Sequence, residues 1–202
     1  MRALITGAAS GIGAETTLRL KSQGYHVTAF DIVEPDNVDR WIEVDMSDPN
    51  AISAAVAAAA EITNGFDCLI NNAGLPPREG LAETILAVNY FGLIQLTEAL
   101  EPLLKAGGCI VNTASRAGAA WQANIDQVKT LMALNEVKGL PAFIQDQGID
   151  HVRAYDLSKE AVIVWGMTQT ERMLAKGIRI NSVSPAAVST AILDDFEAAF
   201  GD

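Results

Sequence analysis

The chain has 202 residues, half of them hydrophobic and 19% charged, which is a globular composition and excludes a disordered chain. Its 14 Lys and Arg stand against 25 Asp and Glu, a net charge of −11 that argues against nucleic-acid and anionic-membrane partners. The length suits a single domain over residues 1–202, and the two cysteines, Cys68 and Cys109, cannot form a disulfide framework.

In chain order, strand-like and helix-like segments alternate. A buried strand is predicted at Ala3-Leu4-Ile5, and a helix from Gly11 to Gln23 with Gly24 just past its end. Strands follow at Tyr25 to Phe30 and Trp41 to Val44. Pro49 to Ile62 reads as an alanine-rich helix opened by Ser47 and Asp48. Cys68-Leu69-Ile70 is a fourth strand. A long helix is predicted from Leu81 to Leu104, with Pro102 near its end, and Cys109-Ile110-Val111 is a fifth strand. Residues 153–175 form another long helix, and Ile178 to Val183 a sixth strand. Short apolar strands alternating with helices predict an α/β, three-layer Rossmann fold: a doubly wound parallel sheet with helices on both faces.

Residues 118–150 break the rhythm. Trp121, Ile125, Val128, Leu131 and Met132 keep helical spacing until Gly139 and Pro141 interrupt it. A helical insertion of one helix or two is expected, either a lid or a pair packed on the rim. No signal peptide precedes the first strand, and the alanine-rich tract at 51–60 is shorter than the ~20 residues a bilayer requires. A soluble protein in a reducing cytoplasm is expected.

Thr6-Gly7-Ala8-Ala9-Ser10-Gly11-Ile12-Gly13 joins the first strand to the first helix. Gly7 allows a sharp turn, Gly11 a close backbone approach to a pyrophosphate, and Gly13 tight helix packing. The helix N-terminus offers N–H groups to the phosphates. Asp31, ending strand two, suits the adenosine ribose hydroxyls and would repel a 2′-phosphate. No basic residue follows at Ile32 or Val33, so NAD(H) is favoured over NADP(H).

Tyr155 and Lys159 stand at i and i+4, on one face of the last long helix. A tyrosine with a pKa near 10 is a poor base. Bringing it to about 7.5 takes about 3.4 kcal/mol, which a nearby ammonium and a positive nicotinamide ring can supply. His26 and His151 lack partners at metal-ligand spacing, and no metal is expected.

Taken together, these motifs resemble the classical short-chain dehydrogenases/reductases from Met1 to about Thr190. Thr6 to Gly13 is similar to the family's TGxxxGxG, and Asn71-Asn72-Ala73-Gly74 to its NNAG. The resemblance implies cofactor contacts at Gly7, Ser10, Gly11, Ile12, Gly13, Asp31, Asp45, Met46, Asn72, Ala73, Gly74, Pro185, Val188 and Thr190. It implies a catalytic set of Asn89, Ser115, Tyr155 and Lys159, the last two also touching the cofactor. Ser115 would hydrogen-bond the substrate oxygen, Tyr155 move the proton, Lys159 hold the nicotinamide ribose, and Asn89 hold a water leading to Lys159.

Ser115 and Tyr155 lie 40 residues apart, where the family has roughly a dozen, and the insertion fills the difference. Bacterial 3-alpha-hydroxysteroid dehydrogenase/carbonyl reductases and aryl-alcohol dehydrogenases share such an insertion. The family's Pro-Gly after strand six is Pro185-Ala186 here, implying strain if that position needs φ > 0. The resemblance also implies substrate-covering helices and a seventh strand beyond Asp202.

The activity expected is NAD(H)-dependent interconversion of a hydrophobic secondary or aryl alcohol, a hydroxysteroid being one candidate, with its carbonyl compound. A non-catalytic NAD-binding regulatory protein of the same fold is the alternative. An extended-family epimerase fits less well, because its TGxxGxxG spacing is not met. A homodimer is expected, with a homotetramer the other option.

Overall fold

The computed structural model describes residues 1–63, 65–188 and 199. Six parallel strands form one sheet in the order β3-β2-β1-β4-β5-β6. The strands are β1 (Arg2–Thr6), β2 (His26–Asp31), β3 (Arg40–Glu43), β4 (Phe66–Asn71), β5 (Leu104–Thr113) and β6 (Arg179–Val183). The chain grows from β1 outward to β3, then crosses back to place β4 on the other side of β1. That reversal opens a crevice between the carboxyl ends of β1 and β4, where ligands of such sheets bind.

Alternate residues of each strand face opposite layers. Leu4, Phe30, Leu69, Ile110 and Ile180 point into the larger core, closed by α2 (Pro49–Ile62), α4 (Leu93–Leu100) and α7 (His151–Ala175). Ala3, Ile5, Val27, Ala29, Cys68 and Ile70 face the other layer, where Leu20 of α1 (Gly11–Ser22) packs. Small residues predominate on that side, so α1 can approach the sheet closely.

The long helix predicted from Leu81 to Leu104 is shorter and composite. It runs as α3 (Ala82–Leu86), a π-helical turn (Ala87–Gly92) and α4, then tightens into a 3-10 turn at Glu101–Leu103. Pro102 lacks the N–H needed to continue, and β5 begins at Leu104, five residues earlier than the apolar run suggests. Leu104 pairs with Phe66 before a register shift, and Cys109 pairs with Cys68. Glu101 is buried and receives both Arg172 and Lys176, tying the end of α7 to this corner.

The insertion holds two short helices, α5 (Ile125–Met132) and α6 (Leu140–Gln147). Val128, Leu131, Leu140 and Phe143 are buried and join the main core. α5 packs on α7 and α6 on α3, so the insertion covers outer helix faces rather than standing free. Gly148, at φ +59, ends α6 in the left-handed conformation. α7 then starts at His151, two residues before the predicted start, because Asp150 accepts a hydrogen bond from Arg153 N at 2.7 Å.

Candidate active site

The cradle is built by β1, its glycine loop and α1. Gly7 and Gly11 take φ of +67° and +53°, a region that disfavours side chains. A Cβ on Gly13 would lie 1.8 Å from the Gly7 carbonyl oxygen, so the first turn of α1 closes directly onto the loop. Thr6 Oγ1 accepts from both Asn72 N and Ala73 N at 2.9 Å, and Asn72 Nδ2 donates to Gly7 O at 2.9 Å. The ends of β1 and β4 are thereby clamped together. The first turn of α1 carries no acid, and Ser10 makes no side-chain cap bond, so its N–H groups and dipole suit an anion.

At one end of the crevice stand two carboxylates. Asp31 Oδ2 accepts from Ala9 N at 2.9 Å, Oδ1 accepts from Val33 N at 3.2 Å, and the Trp41 indole donates to the Asp31 carbonyl at 3.0 Å. Asp45 Oδ1 accepts from both the N–H and the hydroxyl of Ser47, at 2.8 and 2.7 Å. Both acids line the cleft, whose volume is about 920 Å³. Among the described residues the cations lining it are Arg116 and Lys159, both from the Ser115–Tyr155 end.

That far end gathers the reactive groups. Ser115 follows β5 in extended conformation, and its Oγ accepts from Ala117 N at 3.2 Å. It lies close enough to the Tyr155 phenol to favour its ionised form. Lys159, one turn beyond Tyr155 on α7, donates to Thr113 O at 3.0 Å and holds its Nζ 5.7 Å from the Tyr155 ring centre. Burial brings the Lys159 ammonium down to about 8. Burial pushes the Tyr155 phenol up, with Ser115 opposing and Asp156 adding to the rise. The chain's own groups thus do not supply the lowering expected from the lysine, and they favour the protonated phenol.

Asn89 sits in the π-helical turn. Its Oδ1 accepts from Leu75 N at 2.7 Å, and its Nδ2 donates to Leu75 O at 3.0 Å and Ser158 Oγ at 3.2 Å. The amide therefore grips the backbone beside the cleft without lining it. Gly74 separates Asn89 from Lys159: a Cβ there would lie 3.3 Å from Asn89 Oδ1 and 3.4 Å from Lys159 Nζ. A side chain at residue 74 would crowd both.

Of the sequence-predicted residues, Gly7, Ser10, Gly11, Ile12, Asp31, Asp45, Met46, Asn72, Ala73, Gly74, Ser115, Tyr155, Lys159, Pro185 and Val188 all line this one cleft. Gly13 and Asn89 support it from behind, and Thr190 lies outside the described residues. Ala186 lines the cleft without taking positive φ, so the strain considered for it does not arise. Leu75, Pro76, Thr84, Val88 and Ala117 also line it and were not anticipated. All but Thr84 neighbour or belong to a motif in the chain, and an apolar wall carries no distinctive spacing. Sequence reasoning also missed Glu160, whose charge among apolar neighbours on α7 was the available signal. Among the described residues no cluster of three metal-ligating side chains occurs, and no helix is long and apolar enough to cross a membrane.

A crevice at the sheet's reversal point, with a glycine cradle and a Ser-Tyr-Lys group, defines a nicotinamide-dependent oxidoreductase of CH–OH groups. The short chain dehydrogenase family model matches residues 1–126, and the chain belongs to that family. It is 35% identical to coniferyl-alcohol dehydrogenase of Pseudomonas sp. strain HR199, covering 98% of this chain and 77% of that one. It is 29% identical to 3-alpha-hydroxysteroid dehydrogenase/carbonyl reductase of Comamonas testosteroni, over 94% of this chain and 74% of the other. The crystal structure of 3-alpha-hydroxysteroid dehydrogenase from Pseudomonas sp. B-0831 in complex with NADH superposes with a TM-score of 0.87 at 30% identity. That match covers all of this chain and 79% of that one.

Proposed function

We propose that the protein is an NAD(H)-dependent dehydrogenase/reductase of a hydrophobic aryl or cyclic alcohol, with Tyr155 as its general acid/base. The convergence of Ser115, Tyr155 and Lys159 at one end of a single cleft carries this reading. The fit to a dinucleotide rests on the positive-φ glycines, the acid-free N-terminus of α1 and a cleft long enough to join Asp31 to Tyr155. Asp31 and Asp45, with no cation from that end of the cleft among the described residues, support NAD(H) over its 2′-phosphorylated form. Leu75, Pro76, Val88 and Ala117 give the cleft an apolar wall, and Ala117 lies beside Ser115, which suits an apolar ring as substrate. Coniferyl alcohol and hydroxysteroids, which the relatives' names carry, have that character.

The bound cofactor supplies or accepts the hydride. Ser115 Oγ orients the substrate oxygen and stabilises charge developing on it. The Tyr155 hydroxyl gives its proton to that oxygen in reduction and takes it back in oxidation. Lys159 holds positive charge near the phenol, and Asn89 keeps the Leu75 backbone beside it. The reading includes a cytoplasmic homodimer; for the dimer the support is that α5 packs on α7 and α6 on α3, the helices through which a further subunit would otherwise pair. The test is a screen of cinnamyl-type, benzylic and alicyclic alcohols with NAD⁺, followed by NADH fluorescence. Turnover of at least one aryl or cyclic alcohol is expected. NADH binding with no turnover across the whole panel would sink the enzymatic reading.

A further inference from the structure

We propose that Glu160 is a positioning residue: it fastens the inserted segment to the catalytic helix and so fixes Ser115 opposite Tyr155. The inference rests on the Ser115–Tyr155 reading above.

Glu160 follows Lys159 directly and is fully buried. A carboxylate in that setting is costly unless each oxygen is engaged. Both are. Oε1 accepts from Asn124 Nδ2 at 2.6 Å, and Oε2 accepts from Arg153 Nη2 at 2.6 Å. Arg153 also donates from Nε to Gln127 Oε1 at 2.8 Å. The carboxylate therefore joins α7 to two residues of the insertion, one directly and one through the guanidinium.

Asn124 stands just before α5, where its amide oxygen could cap that helix. It makes no cap bond, and its side chain goes to Glu160 instead. The local preference for capping is overridden by the contact with α7. Upstream, Asn124 N donates to Ala120 O at 3.2 Å, so the segment behind Ser115 is continuous with this anchor. Its middle is held as well: a Cβ on Gly118 would lie 2.9 Å from the Lys159 carbonyl carbon and oxygen. Residues 115–124 are thus fastened to α7 at two adjacent points, by backbone contact of Gly118 with the Lys159 carbonyl and by the charge-assisted bond of Asn124 to Glu160. Ser115 begins this span, so its place relative to Tyr155 depends on where the far end is tied.

The arrangement demands a carboxylate. Two donors face the side chain, an amide N–H and a guanidinium N–H, and only Asp or Glu presents two acceptors. Glutamine at this site turns an N–H against one donor.

The test is Glu160→Gln in the whole chain. With the alcohol that the wild type turns over best, kcat/KM is expected to fall tenfold or more. NADH affinity should stay within twofold, since the cradle lies on β1 and α1. Adding Asn124→Asp restores a matched pair, because the new amide then donates to the new carboxylate while Arg153 keeps its acceptor. Recovery of most of the lost activity is expected. Hydrogen exchange gives a readout free of turnover: amides of residues 116–124 should exchange at least tenfold faster in Glu160→Gln, with β1 unchanged. Undiminished kcat/KM, an equal loss of NADH affinity, or no rescue by Asn124→Asp would overturn the proposal. If Glu160→Gln does not fold, Asn124→Ala, at a partly exposed position, takes its place, judged by kcat/KM, NADH affinity and hydrogen exchange as above. A wild type inactive on every alcohol would sink the functional reading, and hydrogen exchange would then decide this one alone.

Discussion

Lys159→Met should make the protein more stable while removing its activity. Lys159 is 5% exposed, and burial lowers its ammonium from the usual 10.5 to about 8. At about 1.4 kcal/mol per pH unit, that drop corresponds to about 3–4 kcal/mol. The sign follows from where the proton sits. Between pH 8 and 10.5 the unfolded chain keeps the proton and the folded chain releases it, so stability rises with pH across that window. Below pH 8 both states are protonated, and the folded protein bears the whole desolvation cost. Methionine fills a similar volume without charge but forfeits the bond to Thr113 O, worth about 1–2 kcal/mol. A net gain of about 2 kcal/mol at pH 7 remains, or about 4–8 °C in Tm for a domain of this size. Calorimetry of both proteins at pH 7, 8, 9 and 10 measures it. The gap should close toward pH 10 as the wild type sheds its proton. Cys68, whose thiol burial pushes up to about 12, is common to both proteins and cancels in the difference. A variant no more stable than wild type at pH 7, or a gap unchanged from pH 7 to 10, would refute the reasoning.

Asp31→Ala should narrow the preference for NADH over NADPH by about tenfold, read by fluorescence titration of both cofactors, since it removes a like charge beside the 2′-phosphate. Comparable affinities in the wild type would already remove Asp31 from that role. Tyr155→Phe should retain NADH binding while turnover drops by about a thousandfold or more; a tenth of wild-type activity would exclude the tyrosine as proton donor. Gly13→Ala drives a Cβ into the Gly7 carbonyl, so a loss of about 3 kcal/mol or more in denaturant unfolding is expected, together with NADH affinity. Light scattering should give a dimer; a stable tetramer built through α7 would contradict the covering role of α5 and α6.

The cleft was legible because its parts are backbone requirements written as residue types. Gly7 and Gly11 adopt conformations that side chains resist, and Gly13 admits no Cβ at all. Tyr155 and Lys159 share a helix face by their spacing, but they stood out only beside the glycine cradle and the family motifs. Strand identity was equally plain, but β5 begins at Leu104 because its pairing with Phe66 is set by the neighbouring strand and not by its own apolar run. The π-helical turn left no trace in periodicity, since one widened turn displaces the pattern by only one residue. Glu160 escaped notice because its meaning lies in Asn124 and Arg153, which only tertiary contact brings to it. The expected lowering of Tyr155 overlooked its own burial, which outweighs the opposing influence of Ser115.

The widened turn at Ala87–Gly92 has a bearing on how this helix tolerates change in length. In an α-helix each N–H reaches back four residues; here the reach is five, so one turn holds an extra residue. Upstream, Ile85 and Leu86 are buried, and downstream Leu93, Leu96 and Leu100 are buried, each group in phase with itself. The extra residue is what sets the two groups relative to one another. Gly92 lies so close to the Met46 carbonyl that a Cβ would sit 2.1 Å from its oxygen, which fixes the downstream phase. Asn89, gripping Leu75, fixes the upstream one. A one-residue deletion here would relax the turn to an ordinary helix at the expense of rotating one anchor by about 100° relative to the other. Natural relatives of this chain should therefore vary in residue type along this helix far more readily than in residue number.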